Sequence, residues 1–144
     1  MKWATASAPA FKGFSASINS GATPTASTNT KVPFGSEAYD TEGWYDTSLY
    51  RFLPTTSGYY RITVTLFLNA SGRNRVDLYK NGTSLLRAFD PPDNHKGILG
   101  WSGITVNLNG SSDYIEVYYF GDGTTGPWQQ GTDLSNFSAY YLGA

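Results

Sequence analysis

The 144-residue chain has no cysteine, so a disulfide framework and a thiolate-ligated metal are both excluded, while the compartment stays open. It has one histidine, His95, which leaves no second imidazole for a zinc site and a single possible base for a serine triad. No Gly-x-Ser-x-Gly elbow accompanies that histidine, which sits in the proline-bounded stretch Asp90-Pro91-Pro92-Asp93-Asn94-His95-Lys96-Gly97 and reads as a solvated loop residue. Charge is scarce as well: charged residues make up 15%, and the net charge of −1 gives no electrostatic case for nucleic acid or an anionic membrane. No apolar run could span a bilayer, so no membrane insertion is expected, and Met1-Lys2-Trp3-Ala4-Thr5-Ala6 lacks the apolar core of a signal peptide. Helical periodicity is missing throughout.

What fills the chain is strand and turn. Aromatics reach 16%, eleven of them tyrosine, and sixteen glycines with seven prolines mark many short strands joined by turns. The organising stretch is Gly58–Leu68. Alternation places Tyr60, Ile62, Val64, Leu66 and Leu68 on one face and Tyr59, Arg61, Thr63, Thr65 and Phe67 on the other. This predicts a central strand spanning roughly 36 Å at about 3.3 Å per residue.

Further strands are expected at 11–18, 31–34, 49–53, 75–80, 83–89, 98–109, 113–120 and 136–142, with short extended pieces and turns over 37–50. The inward residues include Phe14, Val76, Leu78, Ile104, Val106, Ile115, Val117 and Phe137. Asn81-Gly82 is the strongest hairpin signal, a type I′ turn with positive φ at both residues. These nine or ten strands predict an all-β, antiparallel two-sheet β-sandwich over 11–144, preceded by a polar arm at 1–10 in which Trp3 is a candidate attachment residue. The triplet Phe14-Ser15-Ala16 recurs as Phe137-Ser138-Ala139, which suits first and last strands lying side by side.

Several of these features occur in the order seen in C1q-like (tumour-necrosis-factor-like) jelly rolls. They are Phe14-Ser15-Ala16, Val32-Pro33-Phe34, Tyr39-Asp40, Arg51-Phe52 with Pro54, Gly58-Tyr59-Tyr60-Arg61-Ile62, Lys80-Asn81-Gly82, Asp113-Tyr114-Ile115-Glu116-Val117 and Phe137-Ser138-Ala139-Tyr140-Tyr141-Leu142. The series resembles most closely the cysteine-free phage and bacterial versions that end fibres or decorate capsids. It departs at Ala139, where such domains usually carry glycine, and at the long turn Asn109-Gly110-Ser111-Ser112. The resemblance implies a ten-stranded jelly roll that assembles as a homotrimer. Outward aromatics such as Tyr59, Phe67, Tyr114, Tyr118 and Phe120 suit a subunit interface better than solvent.

For function, the aromatic loops are the best surface: Trp44 and Tyr45 in one, Trp101 beside two glycines, and Trp128 with Gln129 and Gln130 in another. Flat rings beside amides fit the apolar faces and hydroxyls of sugars, although the same tryptophans could cover the sandwich ends or trimer seams. Carboxylates cluster at Glu37, Asp40, Glu42 and Asp46, and at Asp90, Asp93, Asp122 and Asp133, without a pair that spacing assigns to glycoside hydrolysis. Loop oxygens make calcium the most plausible ion, yet no Asp-x-Asp-x-Asp-Gly pattern appears. The expected function is a non-catalytic trimeric module on a virion or fibre surface, attached by its arm and contacting a host glycan or surface protein. The alternative is a monomeric carbohydrate-binding module from a larger enzyme.

Overall fold

Eleven strands and no helix make up the computed structural model, which describes residues 10–144. The arm expected over 1–10, with Trp3, therefore lies outside the described residues except for Ala10. The strands are β1 (Gly13–Ser17), β2 (Thr30–Lys31), β3 (Ser36–Asp40), β4 (Tyr45–Asp46), β5 (Arg51–Phe52), β6 (Gly58–Asn69), β7 (Asn74–Lys80), β8 (Thr83–Phe89), β9 (Lys96–Leu108), β10 (Ile115–Gly121) and β11 (Asn136–Gly143). They form two antiparallel sheets, one ordered β3-β1-β11-β6-β9 and the other β4-β5-β10-β7-β8, with β2 also pairing β10. This is the two-sheet sandwich that the strand pattern predicts, in the jelly-roll form that the resemblance implies. Both of the first two expected strands are shorter than predicted, the second because Pro33 has no N–H for the ladder, leaving Val32 and Phe34 buried beyond the end of β2.

β6 forms as its alternation dictates. Tyr60, Ile62, Val64, Leu66 and Leu68 are all buried, and each such side chain contributes about 1.5–3 kcal/mol when taken from water. They meet an aromatic cluster in which the Phe14 ring stacks on Tyr45 at 4.4 Å and on Phe52 at 4.9 Å, and meets Phe137 edge-on at 5.0 Å. The repeated triplets do pair: Phe14 faces Ala139, Ser15 faces Ser138 and Ala16 faces Phe137, so the motif lies across itself in antiparallel. Ala139 is buried there without disturbing the ladder.

Alternation breaks within β9. Ile62 pairs with Ile104 but Val64 pairs with Trp101, so β9 carries one extra residue. Gly103 supplies the bulge with φ of 93°, and a Cβ built on it would collide with the Ile62 carbonyl oxygen. The bulge reverses the parity of the strand, so that Leu99 and Trp101 on one side of it, and Ile104, Val106 and Leu108 on the other, all turn toward the core. The hairpin at Asn81-Gly82 has positive φ at both residues, 53° and 77°, as a type I′ turn requires.

Candidate functional site

The two ends of the sandwich differ. At the near end lie Gly58, the close of β11 and the entry of the chain at Ala10–Lys12; Tyr141 donates its N–H to the Lys12 carbonyl. At the far end lie Asn69, the start of β9 and the loop after β10. The sequence-identified aromatics are divided between them. Trp44 packs edge-on against Tyr60 at the near end, whereas Trp128 adjoins Leu68 and Asn69, about 26 Å further along β6. Trp101 is half-buried on edge strand β9 and packs against the core. The structure brings none of these three groups together.

Trp44 is 2% exposed, and its indole N–H donates to Thr55 Oγ1 at 2.9 Å. Tyr45 donates its hydroxyl to the Phe34 carbonyl at 2.8 Å, and burial pushes its phenol pKa up. Trp128 is 7% exposed and packs edge-on against Tyr119, while its backbone N–H donates to the Ala22 carbonyl at 2.9 Å. The faces of these three rings therefore belong to the core, and what they can present outward is edge. Trp44 and Tyr45 do so in a hollow of about 360 Å³ shared with Gly43, Asp46, Thr47 and Leu53. Gln129 folds its amide back onto the Pro127 carbonyl, and Gln130 is exposed beside Gly21.

A second depression was not legible in the sequence. At the far end a groove of about 220 Å³ is lined by Asn69, Ser71, Lys96, Thr124 and Gly126, among others. Its floor is tied by backbone bonds: Ser71 N–H to the Thr124 carbonyl at 2.8 Å and Gly126 N–H to the Asn69 carbonyl at 2.8 Å. A Cβ on Gly126 would come within 3.1 Å of that carbonyl, so glycine keeps the two segments close. Three separate segments meet here, and only the ladder pairing Asn69 with Lys96 brings the cation to the amide.

The outward faces of the two sheets have different chemistry. On the six-stranded sheet, Glu116 is buried and its Oε1 accepts from Lys31 Nζ at 2.7 Å and from Arg51 at 2.8 and 3.0 Å. Buried Asp77 accepts from Arg75 at 2.9 Å, the Tyr79 and Tyr118 rings lie 4.3 Å apart, and guanidinium groups cover Tyr114 and Phe120. Three of the outward aromatics that suggested an interface thus have partners within the chain. On the five-stranded sheet the reverse holds. Phe11, Tyr39 and Tyr140 cluster above Gly13, with Tyr59 and Leu142 nearby and Ile98 towards the far end, all exposed.

Several of the clustered carboxylates have structural duties. Asp40 accepts the N–H groups of Glu42, Gly43 and Tyr45. Asp46 accepts from Ser48 and Leu49, which holds its carboxyl below the usual carboxylate range, the Ser48 hydroxyl bond being the largest cause. Asp90 pairs with Arg73 and Arg87, and the Arg73 bond lowers its pKa in the same way. Among the described residues no group of three or more His, Cys, Asp or Glu is placed to hold a metal ion. His95 has a buried Nε2 without a hydrogen-bond partner among them. No described helix is long and apolar enough to cross a membrane.

Compared with known proteins, the chain matches no family model and no curated relative. Solved structures do resemble it. The globular domain of zebrafish complement 1qA protein superposes with a TM-score of 0.70 at 16% identity, over 93% of this chain and 98% of that one. Murine APRIL superposes with a TM-score of 0.62 at 11% identity, over 91% of this chain and all of that one. The fold is accordingly a jelly roll of the C1q and tumour-necrosis-factor kind.

Proposed function

From that fold, we propose that the chain is a non-catalytic, homotrimeric structural and binding module. In this reading residues 1–10 attach it to a virion or fibre, as a capsid decoration, head fibre or tail-fibre tip, and its far-end loops contact a host glycan or surface protein. One observation carries the assembly. Of the nine exposed large apolar side chains among the described residues, six (Phe11, Tyr39, Tyr59, Ile98, Tyr140 and Leu142) lie on the outward face of the five-stranded sheet. Scattered apolar residues are ordinary on a monomer, but a concentration on one sheet face suits an interface. The trimer as the particular assembly, and the phage or bacterial setting, rest on the C1q-like resemblance. Attachment at one end and contact at the other agree with the chain entering at the near end while the groove opens at the far end. The engaged carboxylates favour a non-catalytic role.

The test is the solution mass by light scattering, on the whole chain and on a chain lacking residues 1–10. A trimer in both supports assembly by the jelly roll itself. A monomer in both overturns it and favours a monomeric carbohydrate-binding module, for which the Trp44–Tyr45 hollow is the specific observation. Quenching of tryptophan fluorescence by an added oligosaccharide would then identify that module.

A further inference from the structure

The far-end groove holds the one described cation whose charge the chain leaves unanswered. Of the nine described lysines and arginines, seven form ion pairs and Arg61 has a partner of its own, while the Lys96 ammonium has neither an ion pair nor a hydrogen bond among the described residues. Lys96 and Asn69 are cross-strand partners and project to the same side of the sheet. The Asn69 amide and the Thr124 hydroxyl on the same groove also lack partners among the described residues. The groove therefore offers an ammonium, an amide and a hydroxyl, all unengaged, above a floor that backbone bonds hold in place.

We propose that this groove binds a carboxylate-bearing sugar residue, with the carboxylate on Lys96 and ring hydroxyls on Asn69 and Thr124. An amide and a hydroxyl each donate and accept, as sugar hydroxyls do, and an unpaired ammonium selects an anion over a neutral sugar. At about 220 Å³ the groove falls below the range of roughly 300–1,000 Å³ typical of drug-sized ligands, which suits one sugar residue rather than a long chain. The inference rests on the proposed reading for the presentation of the far end, but the contact itself needs only one chain.

The experiment is an amide NMR titration of the full chain with D-glucuronate, D-glucose and N-acetylglutamate, repeated on Lys96→Gln and Asn69→Ala. Glucuronate is expected to shift the amides of Ser71, Lys96 and Thr124, with glucose and N-acetylglutamate at least tenfold weaker. Lys96 is exposed, so its replacement leaves the fold intact and weakens glucuronate roughly tenfold, the scale of one charge-assisted hydrogen bond. Asn69→Ala is expected to weaken glucuronate too. Unshifted groove amides, or Lys96→Gln binding as tightly as the parent, would overturn the site. N-acetylglutamate matching glucuronate would overturn the sugar. Light scattering on the same samples separates the two readings: a monomer that binds glucuronate keeps this site and removes the trimer.

Discussion

Glu116 is the side chain whose replacement should report most directly on the six-stranded sheet. It is 2% exposed, and its Oε1 receives both Lys31 and Arg51, so the Glu116→Gln substitution leaves two cations facing a neutral amide. Breaking a buried pair from one side costs about 3 kcal/mol, and the urea midpoint should fall accordingly. A loss below about 1 kcal/mol would mean that the cluster behaves as an exposed pair. Tyr60 and Tyr119 give a second test at this scale. Burial raises both phenols to about 12, with Tyr141 adding to the shift at Tyr60 and Asp122 at Tyr119. A raised folded pKa favours the neutral phenol in the native state. The stabilisation is complete below the unfolded value of about 10 and is lost as pH climbs from there to about 12. Phenolate absorbance during an alkaline titration should show Tyr60 and Tyr119, together with buried Tyr45, ionising late and with unfolding. Full ionisation near pH 10 with the fold intact would contradict their burial.

Among the elements, β9 depends on a single backbone conformation. Gly103→Ala introduces a Cβ at φ of 93° and against the Ile62 carbonyl, so a loss of roughly 2 kcal/mol is expected, read from urea unfolding. Emission from Trp101 should change with it, because the bulge sets which way that ring turns. The same bulge shows where the sequence stops being readable. β6 was legible because alternation runs unbroken from Tyr60 to Leu68, and β10 because Ile115, Val117 and Tyr119 keep the same period. In β9 the period of two holds only on either side of Gly103, so the inward turn of Trp101 needs the register against β6. Trp128, in Gly126-Pro127-Trp128, looks like an open loop platform, yet the distant segment holding Ala22 and Pro24 lies against it. Glu116 reads as an ordinary outward strand residue, since Lys31 and Arg51 come from other strands. Where partners come from neighbouring residues the pattern revealed them; where three segments meet, as at the groove, it did not.

For the whole molecule, the contrast between the sheet faces predicts which surface assembles. Changing Tyr59 and Leu142, 49% and 52% exposed on the five-stranded sheet, to lysine should convert the proposed trimer to monomer by light scattering. The circular dichroism should not change, because neither side chain supports the core. Equivalent charges at Leu85, on the other sheet, should leave the mass unaltered. An unchanged mass for Tyr59→Lys with Leu142→Lys would place the interface elsewhere.

The pairing of β1 with β11 has a consequence for how the chain is made. β11 lies between β1 and β6, so the five-stranded sheet stays split into a β3-β1 piece and a β6-β9 piece until residues 136–143 are in hand. Contacts of such long sequence separation are slow to close. A chain emerging from the ribosome would hold Phe14 and Ile62 without the strand between them until residues 136–143 have emerged. Ending translation before Asn136 would remove the middle of a sheet rather than trim its edge.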